Sequence, residues 1–181
     1  MNFINEKKVF LEKLDKSKKG SIDEKLIPLI SLINSKDCYY TTSSCSGRVV
    51  LRKESNQKNG TEWLNVSHDL VEEGFLKLNK NELIGDLIWL GVEPTIMHIC
   101  CLDLESANKL LDLAKLFYKK SCLLSISNKI IVEIRGSETM EVPLYHNKEL
   151  RYLDLFLLTS LVNEKLEKIF LKIKKFESKM R

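Results

Sequence analysis

Residues 39–50 read YYTTSSCSGRVV. Aromatic and β-branched residues open the stretch and β-branched residues close it, as in two strands. Between them lie Ser43, Ser44, Cys45, Ser46 and Gly47, followed by Arg48. The interruption admits two readings. Short hydroxyls, exposed backbone N–H groups and a glycine free to take positive φ can form an anion-binding nest. Arg48 would add a bidentate fork for carboxylate or phosphate. The plainer reading is a serine-rich turn beside a solvated arginine.

Working outward from this pair of strands sets the fold class. On the N-terminal side, residues 3–17 have an amphipathic helical pattern through Phe3, Val9, Phe10 and Leu14. A second helix is predicted to follow, and Ser21 stands three residues before Glu24 in the spacing of a capping box. Pro28 falls near its start, where it is tolerated, or inside it, where it kinks. On the C-terminal side, residues 55–60 are a polar turn and residues 63–68, WLNVSH, alternate like a strand. Residues 70–78 and 80–90 have helical patterns, as two helices or as one broken near Asn79. Residues 95–102 are apolar enough for a central strand. Leu104, Ala107, Leu110, Leu111, Ala114 and Phe117 recur at helical spacing behind Asp103, a natural N-cap. Residues 121–126 and 129–135 read as a hairpin, and 140–144 as a short strand. Leu155, Leu158, Val162, Leu166, Ile169, Ile173 and Phe176 form the apolar stripe of a long helix over about 150–178. Helices and strands come in blocks, so the expected class is α+β. We expect a single domain, 1–181, with a mixed, largely antiparallel sheet, N-terminal helices at 3–35 and the long C-terminal helix. No G-x-G-x-x-G or Walker sequence occurs, which argues against a Rossmann arrangement.

Composition narrows the function classes. The chain has 181 residues, 44% hydrophobic and 30% charged, as in an ordinary globular protein. It has no apolar run of membrane-spanning length, and its charged N-terminus is unlike a signal peptide, so a cytoplasmic protein is expected. Its net charge of +4 permits nucleic-acid binding without demanding it. The cysteines, Cys38, Cys45, Cys100, Cys101 and Cys122, are odd in number and lack a C-x-x-C pair, so neither a disulfide framework nor a zinc ribbon is expected. The run MHICC at 97–101 reads as a buried strand carrying small cysteines rather than as a metal site.

Several polar or aromatic residues stand out against this background. Trp63 begins a strand and is either a base-stacking platform or part of the core. His68 lies between Ser67 and Asp69, where a carboxylate can orient it as a base; a structural role is the alternative. His98 sits in an apolar strand and reads as a core residue, and His146 as an exposed loop residue. Arg135 ends a strand next to Gly136, either at a site or as a surface charge. The C-terminal lysines, from Lys165 to Lys179, form a solvated helix face or a phosphate contact surface.

The segments DKSKKGSID (15–23), YYTTSSCSGR (39–48), WLNVSHD (63–69), EPTIMHICCLDLESANKLLDLA (93–114) and IIVEIRGSETMEVPL (130–144) closely resemble the wybutosine-synthesising protein three family. The resemblance implies methyl transfer from S-adenosylmethionine, without a metal, to the N-4 nitrogen of the imidazopurine beside the anticodon of tRNA-Phe. It also implies residue roles. Ser43, Ser44, Cys45, Gly47 and Arg48 match the serine-cysteine motif and are expected to hold the donor's amino-acid end or the substrate's polar side chain. His68 and Ser44 would be catalytic. Trp63 would stack on the tricyclic base, while Arg135, Lys119 and Lys120 would contact tRNA. Phe117 and Cys122 stand where relatives carry glycines, and Thr139 where many carry a basic or larger residue. A non-catalytic tRNA-binding subunit of the same pathway is the second reading. A small-molecule enzyme with Cys45 as nucleophile is the third, and it lacks a neighbouring histidine in sequence to activate the thiol.

Overall fold

The computed structural model describes residues 2–12, 21–53, 61–79, 83, 87–152 and 154–181. The turn expected at 55–60, most of the helix expected at 80–90 and the end of the first helix lie outside these residues. The chain packs as two compact units. One comprises Met1–Ser46, Thr95–Ser137 and Phe170–Arg181, the other Gly47–Pro94 and Glu138–Ile169.

The first unit is built on an antiparallel sheet of order β1-β5-β7-β6. Its strands are β1 (Tyr39–Cys45), β5 (Ile96–Cys101), β6 (Cys122–Ser125) and β7 (Ile130–Arg135). Helix α1 (Phe3–Leu11) and helix α2 (Ile27–Ser35) pack along β1, and α3 (Leu104–Lys115) packs along β5, β6 and β7. Met97, Ile99, Val132 and Ile134 are fully buried, as are Ala107 and Ala114 of α3. Two small alanines let the helix approach the branched residues of the strands closely. Asp103 caps α3 as expected: its carboxylate accepts from the Ser106 N–H at 2.7 Å, and this bond holds the carboxyl below its usual range. The expected hairpin is present as β6 and β7.

The second unit carries an antiparallel sheet of order β3-β2-β4-β8-β9. Its strands are β2 (Arg48–Lys53), β3 (Glu62–Ser67), β4 (Leu87–Glu93), β8 (Met140–His146) and β9 (Glu149–Leu150). The final helix, α4 (Leu155–Met180), starts in this unit and ends in the first. Its stripe Leu158, Val162, Leu166, Ile169, Ile173 and Phe176 is buried as the periodicity predicts.

The class is therefore α+β and not a Rossmann arrangement, but four details differ from expectation. Every described strand pair is antiparallel, and the strands form two sheets rather than one. Residues 70–78 are not a helix; only Glu73–Leu76 makes a short 3-10 turn. It is held in place because the Tyr145 hydroxyl donates to the Leu76 carbonyl at 3.1 Å and accepts from the Leu78 N–H at 3.3 Å. Residues 87–90 belong to β4, where Ile88 and Leu90 are buried by pairing on both sides. Tertiary pairing overrides a short helical pattern here. Finally, Ser21 caps nothing: the first turn begins at Glu24 behind Asp23, and Pro28 sits in the first turn of α2, where it causes no break.

Candidate functional site

The motif that opens the sequence argument is not a loop between paired strands. Ser43, Ser44 and Cys45 continue β1, and only Ser46 and Gly47 separate it from β2, which belongs to the other sheet. Neither the anion nest nor the serine-rich turn read over 43–48 is present, because Ser43–Cys45 lie in the ladder with β5. The two-residue joint has specific supports. Ser46 is fully buried; its N–H donates to the Asp23 carboxylate at 2.8 Å and its carbonyl accepts from the Thr95 hydroxyl at 2.9 Å. Both backbone groups of a buried residue are thereby satisfied, as burial requires. Asp23 and Thr95 are themselves buried. Gly47 has φ of 104°, and a Cβ there would stand 2.9 Å from Ile169 Cγ2 and 3.0 Å from the Glu93 carbonyl. Sequence reasoning passed over Asp23, although it lies in one of the segments that carry the family resemblance.

Strand alternation separates the motif's side chains. Ser43 and Cys45 share one face of the four-stranded sheet, and Ser44 points to the face of its register partner Met97. Ser43 is exposed, and its Oγ lies 2.8 Å from His98 Nδ1. His98 Nε2 lies 3.0 Å from Glu133 Oε2. His98 is therefore not the core residue its apolar neighbours predicted. Its imidazole is part-exposed and bridges two polar side chains. Met97, Cys100 and Cys101 are buried, as expected for MHICC. Burial pushes the Cys101 thiol up to about 12.

Arg135 pairs with Ile96, which in turn pairs with Cys45, so Arg135 lies one row along from Glu133. Its side chain is exposed, and its backbone N–H donates to the hydroxyl of buried Ser121 at 3.3 Å. Lys119 and Lys120, both exposed, immediately precede that serine. The three cations assigned to tRNA are thus gathered at one end of this sheet. Of the family glycine positions, Phe117 packs edge-on against Phe176 with centroids 6.0 Å apart, and Cys122 is exposed on β6. Thr139 is exposed. Along α4, Lys168 and Arg181 pair with Glu164 and Glu177, whereas Lys174, Lys175 and Lys179 face solvent.

In the second unit, Arg48 and Trp63 come together. The guanidinium carbon stands 3.9 Å from the centroid of the indole, and Nε donates to Glu93 Oε2 at 2.6 Å. Arg48 is not the free fork expected from sequence: one edge is already taken by a carboxylate. Trp63 is 42% exposed, which removes it from the core and leaves an aromatic surface available. His68 follows β3 and is half-buried. The segment after it is clamped from α4, where Asn163 accepts from the Val71 N–H and donates to the Val71 carbonyl, both at 2.9 Å. His146 is exposed, at the end of β8 rather than in a loop.

Comparison with known proteins decides what this arrangement belongs to. The family model described as Methyltransferase TYW3 matches residues 5–181. The chain belongs to this family. A protein of Thermococcus sibiricus named tRNA(Phe) 7-((3-amino-3-carboxypropyl)-4-demethylwyosine(37)-N(4))-methyltransferase is 36% identical, over 99% of this chain and 94% of that one. A tRNA wybutosine-synthesizing protein 3 homolog of Danio rerio is 34% identical, over 92% of this chain and 69% of its own length. Among solved structures, the PH1069 protein of Pyrococcus horikoshii superposes with a TM-score of 0.89 at 35% identity, covering 99% of this chain and 96% of that one. The family resemblance drawn from the motif segments is borne out.

Proposed function

We propose that this chain transfers a methyl group from S-adenosylmethionine to the N-4 nitrogen of a 4-demethylwyosine-type base next to the anticodon of tRNA-Phe, in the cytoplasm. The observation that carries the reading is family membership over residues 5–181, together with relatives named for that reaction. The donor supplies a methyl already activated on a sulfonium, so the protein's task is alignment and exclusion of water. The residues present suit such a donor without a glycine-rich turn: an exposed strand end offers the Ser43 hydroxyl, and Trp63 is a part-exposed aromatic surface.

In this reading the segment carrying Ser43, Ser44, Cys45, Gly47 and Arg48 binds the donor's amino-acid end or the substrate's polar side chain, with Ser43 and Cys45 on one sheet face and Ser44 on the other. Ser44 and His68 stand at the reacting positions, with His68 taking the proton displaced from N-4. Trp63 stacks on the tricyclic base, an interaction worth about 1–3 kcal/mol in single-strand complexes. Arg135, Lys119 and Lys120 contact phosphates of the anticodon loop, whose unpaired bases can be splayed outward at low cost. The grouping of these three cations at one sheet end supports the last assignment.

The test is mass spectrometry of tRNA nucleosides after incubation with the protein and isotopically labelled S-adenosylmethionine. A labelled methyl on the tricyclic base is expected from hypomodified tRNA-Phe. Absence of label in the wild-type reaction, with no heat of S-adenosylmethionine binding in a titration, would instead indicate the tRNA-binding subunit. Alanine at Ser44 or Arg48 that leaves methylation intact would remove those residues from the site.

A further inference from the structure

The four strands of the first sheet place one row of side chains across it: Ser43 on β1, His98 on β5, Glu133 on β7 and Cys122 on β6, each in direct register with its neighbour. Three of them are joined by hydrogen bonds of 2.8 and 3.0 Å. Directly opposed residues on one sheet face are the natural geometry for such a chain of contacts. Neither His98 nor Glu133 has a part in the site proposed above.

The chemistry of the row fixes its polarity. A carboxylate only accepts, so His98 Nε2 carries the hydrogen and donates to Glu133. In the neutral ring Nδ1 is then the bare nitrogen and accepts from the Ser43 hydroxyl. With its hydrogen committed inward, Ser43 Oγ presents lone pairs outward. It becomes an acceptor, not the donor that a free serine can also be. Arg135, one row along and exposed, opposes a positive ligand by its charge, but it does not reverse a hydrogen-bond direction set by the tautomer.

We propose that His98 and Glu133 are positioning residues that hold Ser43 as a hydrogen-bond acceptor for the α-ammonium of an amino-acid head group. This rests on the function proposed above and deepens it. Two sources carry that head group there: the methionine end of the donor, and the 3-amino-3-carboxypropyl side chain in the substrate name of the relatives.

Two arms separate the sources. In the first, titration compares S-adenosylhomocysteine with 5′-deoxy-5′-methylthioadenosine, which lacks the head group. In the second, KM is compared for tRNA-Phe whose tricyclic base carries or lacks the aminocarboxypropyl group. Wild type is expected to prefer the head-group form by about tenfold or more in one arm, as a charged hydrogen bond implies. His98→Gln keeps the donor to Glu133 but puts no acceptor at the Nδ1 position, so the preference is expected to fall about tenfold. Glu133→Gln leaves the tautomer unset and is expected to act in the same direction. His98→Asn places an amide oxygen near Nδ1 and is expected to restore the preference.

Loss in the first arm assigns Ser43 to the donor, and loss in the second assigns it to the base. No change in either arm overturns the proposal. Equal loss in His98→Asn and His98→Gln also overturns it, because a mere packing role does not distinguish these two. Should the His98 variants fail to fold, Ser43→Ala at its exposed position provides the decision: a preference that survives it overturns the proposal. Wild type that neither methylates nor binds either adenosyl probe would instead fail the proposed function itself, and the inference with it. Wild type that methylates without any head-group preference fails only the inference.

Discussion

The two halves of one motif are held in opposite ways. Before the joint at Ser46 and Gly47, Ser43 is restrained by an imidazole and a carboxylate, a chain of directional hydrogen bonds that leaves an acceptor facing outward. After the joint, Arg48 is restrained by an indole face and the Glu93 carboxylate, contacts that consume much of its charge and one edge of its fork. A consecutive run of small polar residues and an arginine therefore does not make one uniform binding surface. The first half is tuned by tautomer and direction, the second by stacking and charge. The joint between them is the most constrained point of the pair.

That constraint gives the largest expected effect. Gly47→Ala must place a side chain at φ of 104° and within 3.0 Å of both a branched side chain and a carbonyl. Strain and overpacking each cost on the order of 1–3 kcal/mol, so a loss of about 3 kcal/mol is expected. Urea unfolding followed by circular dichroism measures it. A loss under 1 kcal/mol would show that the backbone at Gly47 relaxes to accept a side chain.

The contrast also explains what was legible in the sequence. Long patterns survived: the α4 stripe, the Asp103 cap and the hairpin at 122–135 appear as read, because each depends on neighbours close in the chain. The reading of 70–78 as helix failed because its apolar residues answer to Tyr145 and Asn163, which lie far along the chain. His98 was misread for a related reason. Strand alternation places it on the opposite face from Met97 and Ile99, so apolar neighbours in sequence say little about its surroundings. Asp23 was hidden because it lies inside the Ser21–Glu24 stretch that reads as a capping box, whereas its partner, the Ser46 N–H, is supplied from just past the end of β1. The motif segments carried the family, but no spacing rule could show that Ser43 and Ser44 face apart or that Arg48 is already paired.

A smaller effect sharpens the second half. Arg48 and Trp63 are expected to couple by about 1 kcal/mol in a double-mutant cycle of Arg48→Ala and Trp63→Ala, the usual size for a part-exposed cation over an indole. Arg48→Lys is expected to lose most of this coupling, since an ammonium cannot stack as a planar guanidinium does. Coupling near zero would mean that the two residues merely touch. In that case the Glu93 carboxylate alone would restrain Arg48.

The smallest effect lies at the other end of the first sheet, where Glu6 of α1 meets Lys129 and the Tyr40 hydroxyl. The Lys129 hydrogen bond, with that of Tyr40, holds the Glu6 carboxyl below its usual range. A depressed carboxyl pKa contributes stability above the unfolded value, near 4.3 for glutamate, and loses it as pH falls through the folded one. Glu6 is largely screened by water, so the contribution is expected to be a few tenths of a kcal/mol. Hydrogen exchange of the α1 amides between pH 6 and pH 3 reads it best, with Glu6→Gln as the reference, because Asp103 and Glu164 titrate in the same direction. The wild type should lose protection in α1 on acidification more than the variant does. Equal loss in both would show that α1 is held by Phe3 and Phe10 against the Tyr40 ring, with centroids 5.4 and 5.3 Å away, and not by the charge. The polar row through His98 would then differ from the α1 contact in resting on hydrogen-bond direction rather than on apolar packing.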